Sequence, residues 1–600
     1  MSPPRPSSPP ARRAVPGIAL GVAALAVLIF SLHGRALDYG LFMDDYAHVR
    51  QLRACDWSVG GLTDACRLEL VGGVIELWWM PECTLRFFRP AAFGLMKLTY
   101  TLAGWNPYPM HIASLIWHLI VCTLLMLVLR RLGVGVWLAG AAAALFAIHP
   151  GHVGTVQWIA SQSELMVTTF LLAGLLCYMK FRGWPAGSGL TRKMDGGGRW
   201  GWAAACVALF AMALGCRENA VVFPLVLVAL EPWGRRPRGR AVVALYGVLG
   251  LVAAIFLVLR WHYLGGAALP PRPYVVSPGD ADFVRYVFDK ACYYLLGEFL
   301  LVPCVPIGGL PYFRARPLVF YGLALLAVVL LAMVCVRWWR RGPGALAVVW
   351  LGGFLLPVLP AFESPHHLYL PGVGWAVAAG LLLRGIGGSV VGRSPRGRQR
   401  RWVAAWTVTL LTGAIFGVAT HFFGLALDSA QRVEDGVADE IVSARPELRA
   451  GDTLYVANLP VIAHYVKLAV EERTGLRDLR VVALTWAPRL LGLVGTATPS
   501  ELTWVDERTI DVRIARERYF SGPLGLLAAE ANGVRFPAEP RRPLRFEGFT
   551  VEVRERDARG IAALRIVFDD VPGRSGVHFF WGSRTCWAME VIGEAGRDGE

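Results

Sequence analysis

The chain is 600 residues long, 55% hydrophobic and only 17% charged, with a mean hydropathy of +0.47. Those proportions exclude an ordinary soluble domain. The net charge of +16 does not indicate nucleic-acid binding, because the arginines gather in short loops between apolar runs, where they set orientation in a bilayer.

Residues 14 to 424 break into apolar runs of roughly 17 to 25 residues, each long enough to cross about 30 Å of hydrocarbon as a helix. The first run, 14 to 32, follows Arg5, Arg12 and Arg13. It is read as an uncleaved anchor, since no small-x-small cleavage site precedes Asp38. Excess positive charge stays on the cytoplasmic side. That rule places there Arg130 and Arg131; Arg182, Arg192, Lys193 and Arg199; Arg235, Arg236, Arg238 and Arg240; Arg337, Arg340 and Arg341; and the arginines from 384 to 401.

Spans obeying this rule fall near 14–33, 109–130, 133–148, 159–181, 200–216, 219–233, 241–263, 318–337, 344–361, 368–385 and 402–424, about eleven in all. The apolar piece 293–306 is read as a re-entrant or interfacial helix, because a full span there would invert the Arg337 cluster. A second interfacial helix is expected over 90–102.

The organisation expected is a cytoplasmic tail and anchor (1–33), a first outer loop (34–108), a transmembrane helical bundle (109–424) and an outer-side soluble module (425–600). In that last segment, short β-branched runs around Leu454, Val481, Val512, Val551 and Ile566 read as strands, with a helix over 462–472. The fold class is therefore an α-helical polytopic membrane protein with a C-terminal soluble α/β domain. The eleven cysteines include no CxxC and no Cys/His cluster at metal spacing, which argues against a structural zinc site and leaves the metal ligands as none. Cys55, Cys66 and Cys83 share the first outer loop, where one pair is available for a disulfide.

Polar residues collect at one depth. Under the orientation above, the outer face carries Asp44, Asp45 and His48; Arg86 and Arg89; His111; His149, His152, Gln157 and Glu164; Arg217 and Glu218; Arg260 and His262; and Glu363, His366, His367 and Tyr369. Ionisable groups beside spans are costly unless paired or hydrated, so a shared level implies a polar cavity. Arginine there suits a phosphate through forked hydrogen bonds, and a carboxylate suits a base. Each has a plainer structural reading too: Arg217 and Glu218 as an ion pair, Arg86 and Arg89 snorkelling to lipid phosphate, His118 as a packed histidine, and Trp78, Trp79 and Trp105 as an interfacial belt.

The motifs, in order, resemble a known family. RFFRPAAFGLMKLTYTLAGWNPYPMHIASLIWHLI from Arg86 has an Arg-Pro, a Gly-x-Asn-Pro turn and two helical histidines. LFAIHPGHVGTVQWIASQSELM from Leu145 has a His-Pro, a Val-x-Trp and a polar-Glu-Leu helix start. CRENAVVFPLVLVALE from Cys216 and HHLYLPGVGWAVAAG from His366 follow, with Asp44 and Asp45 ahead of them all. This is similar to membrane glycosyltransferases of the GT-C, protein O-mannosyltransferase type, in particular the branch whose eukaryotic members carry tetratricopeptide repeats.

The resemblance covers roughly residues 35 to 385. It implies inverting transfer of a sugar from a polyprenyl-phosphate donor, with no further cofactor, to a hydroxyl acceptor on a protein or glycan. Asp44 would be the base and Asp45 a positioning group, while Arg89, His149, Arg217 and His366 would sit on the phosphate side, within a wider set of His48, Arg86, His111, His152, Glu164, Glu218, His367 and Tyr369. A divalent metal on the acidic pair is disfavoured by the resemblance. The chain departs from the pattern at Gln162, where arginine is common, and at His366 and His367, where a Glu-Arg pair often stands; no tetratricopeptide periodicity follows residue 424. Two other readings are a lipid-linked-glycan transporter, which would place polar groups near the midplane, and a catalytically silent envelope-binding scaffold. High Arg, Ala and Gly content points to a bacterial inner membrane, with the site facing the periplasm.

Overall fold

The computed structural model describes residues 14–79, 83–184, 198–233, 239–265, 275–302, 309–339, 343–387, 395–486, 500–515, 518–519, 543–557, 560–574 and 576–582. Of the residues used above for orientation, Arg5, Arg12, Arg13, Arg192, Lys193, Arg235, Arg236, Arg238, Arg340, Arg341 and Arg393 lie outside these, as do residues 303–306 of the expected re-entrant piece. The chain divides into two compact units. One holds residues 1–38, 88–267 and 284–424, and the other 39–87, 268–283 and 425–600.

The first unit is helical. Among the described residues, six helices are long and apolar enough to cross a membrane, or seven if Val136–Ala147 and Pro150–Gln157, bent by 55°, form one span; four shorter apolar helices accompany them. The chain is a multi-pass membrane protein. Helices Arg240–Tyr263 and Pro317–Trp339 leave Leu251, Val258, Leu318 and Leu325 exposed. Water would penalise such faces and hydrocarbon does not. Helix Gln162–Phe181, by contrast, is buried along almost its whole length.

Small residues set the closest helix approaches, as expected where lipid offers no hydrophobic drive between helices. A Cβ on Gly374 would stand 2.5 Å from the Ala347 carbonyl oxygen, and one on Gly380 would stand 2.8 Å from Leu129. Helix Tyr369–Gly387 is thereby seated against Pro343–Leu355 and Pro107–Arg131. Helix Pro90–Ala103 begins with proline at its first position and stops at Gly104, φ 100°; proline pre-sets the opening turn and glycine accepts the closing one. Residues 293–300 of the expected apolar piece belong to a helix that starts earlier, Phe283–Leu300, and buries Tyr293 and Tyr294.

The second unit carries the strands: β1 (Arg67–Val71), β2 (Glu76–Leu77), β3 (Cys83–Arg86), β4 (Thr453–Ala457), β5 (Arg480–Ala483), β6 (Ser500–Asp506), β7 (Thr509–Ile514), β8 (Leu544–Phe546), β9 (Phe549–Asp557), β10 (Gly560–Phe568) and β11 (Val577–Trp581). β1 and β3 form an antiparallel pair. β11, β4, β5 and β2 line up as a parallel sheet, and β6, β7, β10, β9 and β8 as an antiparallel one. β4 and β5 read as near-continuous apolar runs, which suits parallel strands covered on both faces. β9 instead alternates buried and half-buried residues at its start, as a sheet with one wet face does. All five stretches expected to be strands lie in these elements, and helix Val466–Thr474 connects β4 to β5. Residues 39–87 share one apolar core with these strands, including Trp78, Trp79, Leu454, Val482 and Phe580. Cys55 Sγ and Cys66 Sγ each donate to a carbonyl of the preceding turn, Leu52 and Leu62; the Cys83 side chain is outside the described part.

Candidate functional site

Helix Asp44–Ala54 of the second unit opens with both acidic residues in its first turn, where a helix dipole favours negative charge. The residue before it, Met43, is held at φ 47° and ψ −117°. A side chain with a Cβ resists that conformation, at a cost of about 1–3 kcal/mol, so the surroundings must enforce it. They do so through two carboxylates. Asp45 Oδ2 accepts the Phe42 amide at 3.1 Å, and Glu434 Oε2 accepts the Met43 amide at 2.7 Å.

Asp45 is completely buried in this arrangement, so its carboxylate is spent on the backbone turn. Asp44 is only half-buried, with the Tyr465 hydroxyl as its side-chain hydrogen-bond partner. Desolvation raises its pKa to about 6, with the Tyr465 bond pulling the other way. A carboxylate in that range is mostly ionised at neutral pH and basic enough to accept a proton. His48 lies buried one turn along the same helix. The helix is fastened to Val466–Thr474 by Arg50–Glu471 at 2.6 Å and Arg53–Glu472 at 2.9 Å. Arg86 is exposed on β3.

In the first unit, the expected basic and acidic residues form a charged layer with different partners from those anticipated. Arg217 does not pair with Glu218. It bonds Glu164 at 3.0 Å and the Ser163 hydroxyl at 3.2 Å, while Glu218 is held by Arg89 through Nε at 3.1 Å and Nη2 at 3.0 Å. Helix starts explain the exchange. Glu164 occupies the first turn of Gln162–Phe181, where the dipole favours a carboxylate, and Arg89 stands immediately before helix Pro90–Ala103. The Arg217–Glu164 pair is buried, whereas Arg89 and Glu218 keep 15% and 24% of their side-chain surface.

His366 bonds the Ser364 hydroxyl at 2.6 Å, and His367 bonds the Tyr294 hydroxyl at 2.9 Å. Arg217, Arg89 and Lys290 all lie within electrostatic reach of both histidines. Lys290, buried and 5.2 Å from the Tyr294 ring centre, was not among the sequence candidates. The apolar run starting at residue 293 drew attention away from the polar first half of its helix, although a lysine within a helix of this hydropathy was itself a signal. Guanidinium donors match a phosphate's geometry.

The remaining candidates are inside the helical packing. His111 is buried in helix Pro107–Arg131. His118 Nε2–H donates to the Ala147 carbonyl at 3.0 Å, and His118 Nδ1 accepts the Tyr369 hydroxyl at 2.6 Å. His149 and His152 sit among Phe146, Tyr369, Trp375 and Phe416, with ring centres 4.3 to 5.0 Å apart. Gln162 donates to the Met110 carbonyl at 2.7 Å and the Ser114 hydroxyl at 2.9 Å. That fixes one helix against another and leaves its amide nitrogen committed.

The chain is similar to membrane protein O-mannosyl-transferases. It is 29% identical over 154 residues to Protein O-mannosyl-transferase Tmtc2 of Drosophila melanogaster, an alignment covering 26% of this chain and 15% of that one. Against human TMTC4 it is 23% identical over 386 residues, 54% of this chain and 50% of that one. The chain thus spans half or less of the length of these curated relatives. No family model matches. Among solved structures, the Archaeoglobus fulgidus oligosaccharyltransferase with a tethered acceptor peptide superposes at a TM-score of 0.43 and 12% identity, covering 78% of this chain and 63% of that one. ArnT of Cupriavidus metallidurans bound to undecaprenyl phosphate does so at 0.39 and 16%, covering 77% and 86%.

Proposed function

We propose that the protein is a membrane glycosyltransferase that moves a sugar, mannose by the naming of its relatives, from a polyprenyl-phosphate donor to a hydroxyl on a protein acceptor. The observation that carries the reading is Asp44: a carboxylate with pKa about 6, beside a backbone held in a costly conformation at Met43. Such strain is retained where it positions a working group.

In the proposed reaction the acceptor O–H gives its proton to the Asp44 carboxylate. Its oxygen bonds the anomeric carbon from the face opposite the leaving group, the bond from that carbon to the phosphate oxygen breaks, and the configuration inverts. The polyprenyl phosphate leaves with the electron pair. Arg89, Arg217, Lys290 and His366 are assigned to the phosphate, where fixed positive charge lowers the barrier by stabilising developing negative charge. Asp45 and Glu434 act on Asp44 by holding the turn. The site is assigned to the membrane side opposite the basic loops, the periplasm if the protein is bacterial.

The test is transfer by purified protein in lipid nanodiscs supplied with radiolabelled polyprenyl-phosphate mannose and other polyprenyl-phosphate sugars. Label leaving the lipid in the wild type and staying there in Asp44→Asn supports the assignment. Equal release by both removes Asp44 from the chemistry, and no release with any donor from folded protein removes the transferase reading.

A further inference from the structure

Two membrane-length helices, Pro107–Arg131 and Gln162–Phe181, pack against each other and end at the same level. Each is closed by the same backbone device. Gly133 and Gly183 take the left-handed conformation, φ 84° and 68°. The Gly133 and Val134 amides then donate to the Arg130 and Leu129 carbonyls at 3.1 and 3.0 Å, and the Gly183 and Trp184 amides to the Lys180 and Met179 carbonyls at 3.1 and 2.9 Å. The main chain thus satisfies carbonyls at both ends, without help from the basic side chains there.

Those side chains are treated unequally. Arg182 has a carboxylate, Glu231 at 2.8 Å, whose other oxygen accepts the Tyr178 and Tyr246 hydroxyls at 2.6 and 3.0 Å. Arg131 and Lys180, both half-buried, have none among the described residues. Arg131 makes one long hydrogen bond, from Nη1 to the Trp184 carbonyl at 3.5 Å, and the Lys180 ammonium lies 3.7 Å from the centre of the Trp202 ring. The two cations are close enough to repel each other. Arg130 and Arg384 add charge beside them, donating to the Val134 and Leu132 carbonyls at 3.0 and 2.9 Å. In the same turn, the Trp184 indole N–H is buried with no acceptor among the described residues.

The preference of helix C-termini and cytoplasmic loops for cations explains charge at this level, but not two adjacent half-buried cations left unanswered. An anion placed between them would remove the repulsion. We propose that Arg131 and Lys180, with Trp202 beside the ammonium, hold the phosphate of an anionic phospholipid headgroup. Guanidinium supplies a fork and ammonium a point charge, and tryptophan settles at headgroup depth. A lipid is assigned over free phosphate because these residues terminate spans, where headgroups are concentrated. The site is separate from the charged layer around Arg217: Glu164 opens the helix that Lys180 closes, about 24 Å away at the helical rise. The proposal does not depend on the glycosyltransferase reading.

Purified full-length protein is titrated with phosphatidylglycerol or phosphatidylcholine of identical chains, and native mass spectrometry reads the bound lipid. Wild type should retain phosphatidylglycerol in preference. In Arg131→Gln, Lys180→Gln that preference should fall by roughly 30-fold, as expected for two cations facing an anionic headgroup. Arg400→Gln, Arg401→Gln removes equal charge from the start of helix Pro395–Ala444 and should keep it. Equal retention of both lipids by wild type, a preference kept by the first variant, an equal loss in both variants, or displacement by excess inorganic phosphate overturns the proposal. If the first variant fails to fold, Lys180→Gln alone decides, with a loss of about fivefold expected.

Discussion

The start of helix Asp44–Ala54 and the charged layer of the helical unit both place carboxylates in low-dielectric surroundings, yet they treat them in opposite ways. Glu164 and Glu218 each have an arginine within 3.0 Å, which compensates their charge. Asp44 has a tyrosine hydroxyl and, among the described residues, no ion pair, and burial raises its pKa to about 6. A carboxylate matched by an arginine serves as structure or as part of an electrostatic surface; one met only by a hydroxyl is available as a base.

Replacing Asp44 with asparagine gives the sharpest break in this comparison. Transfer should fall by roughly 10²–10⁴-fold, the usual loss for a general base, with folding unchanged by size-exclusion chromatography. Glu164→Gln should instead act on stability: stranding the buried Arg217 should cost about 3–5 kcal/mol, read as an earlier thermal midpoint. The double variant Glu164→Gln, Arg217→Met should recover part of that loss, which it would not if the pair contributed nothing. Arg89→Lys keeps the charge and loses the fork; a rise in KM for the lipid donor of about tenfold is expected, with kcat little altered.

The pH dependence separates the two kinds of carboxylate further. The rate should rise with pH through about 6 and then level, since protonated Asp44 cannot accept a proton. For stability the sign is the reverse: a folded pKa above the unfolded value means that the contribution is present below the unfolded pKa, near 4, and lost as pH rises through about 6. Asp44→Asn should therefore raise the thermal midpoint relative to wild type at pH 8 but not at pH 4. The smallest effect is expected from Met43→Gly, which relieves the strain at φ 47° and should change stability by about 1 kcal/mol or less.

Much of this contrast could be read from the chain. An acidic pair just beyond the first apolar run was conspicuous, and so were the β-branched stretches around Leu454, Val481 and Ile566, because each signal is local. Which arginine holds which glutamate was not legible: Arg217 adjoins Glu218 in sequence, but their chosen partners, Glu164 and Arg89, are set by where helices begin. Lys290 was hidden behind the apolar run that follows it. β2 is two residues long and carries no periodicity; it exists because the edge of β5 offers it a partner. The aromatic rings packed around His149 and His152 come from distant segments, a property of packing that composition does not encode.

The attachment of β2 to β5 also orders events in time. Trp78, beside β2, bonds the Leu484 carbonyl across 406 residues of chain, and β4 pairs with β11 at Val577–Trp581. During synthesis the segment bearing Asp44 must wait, without its neighbouring strands, until β4, β5 and β11 have been made. Such distant pairings close slowly, and exposed apolar strands are vulnerable meanwhile. A truncation ahead of β4 would thus disable an acidic pair that lies far upstream of it.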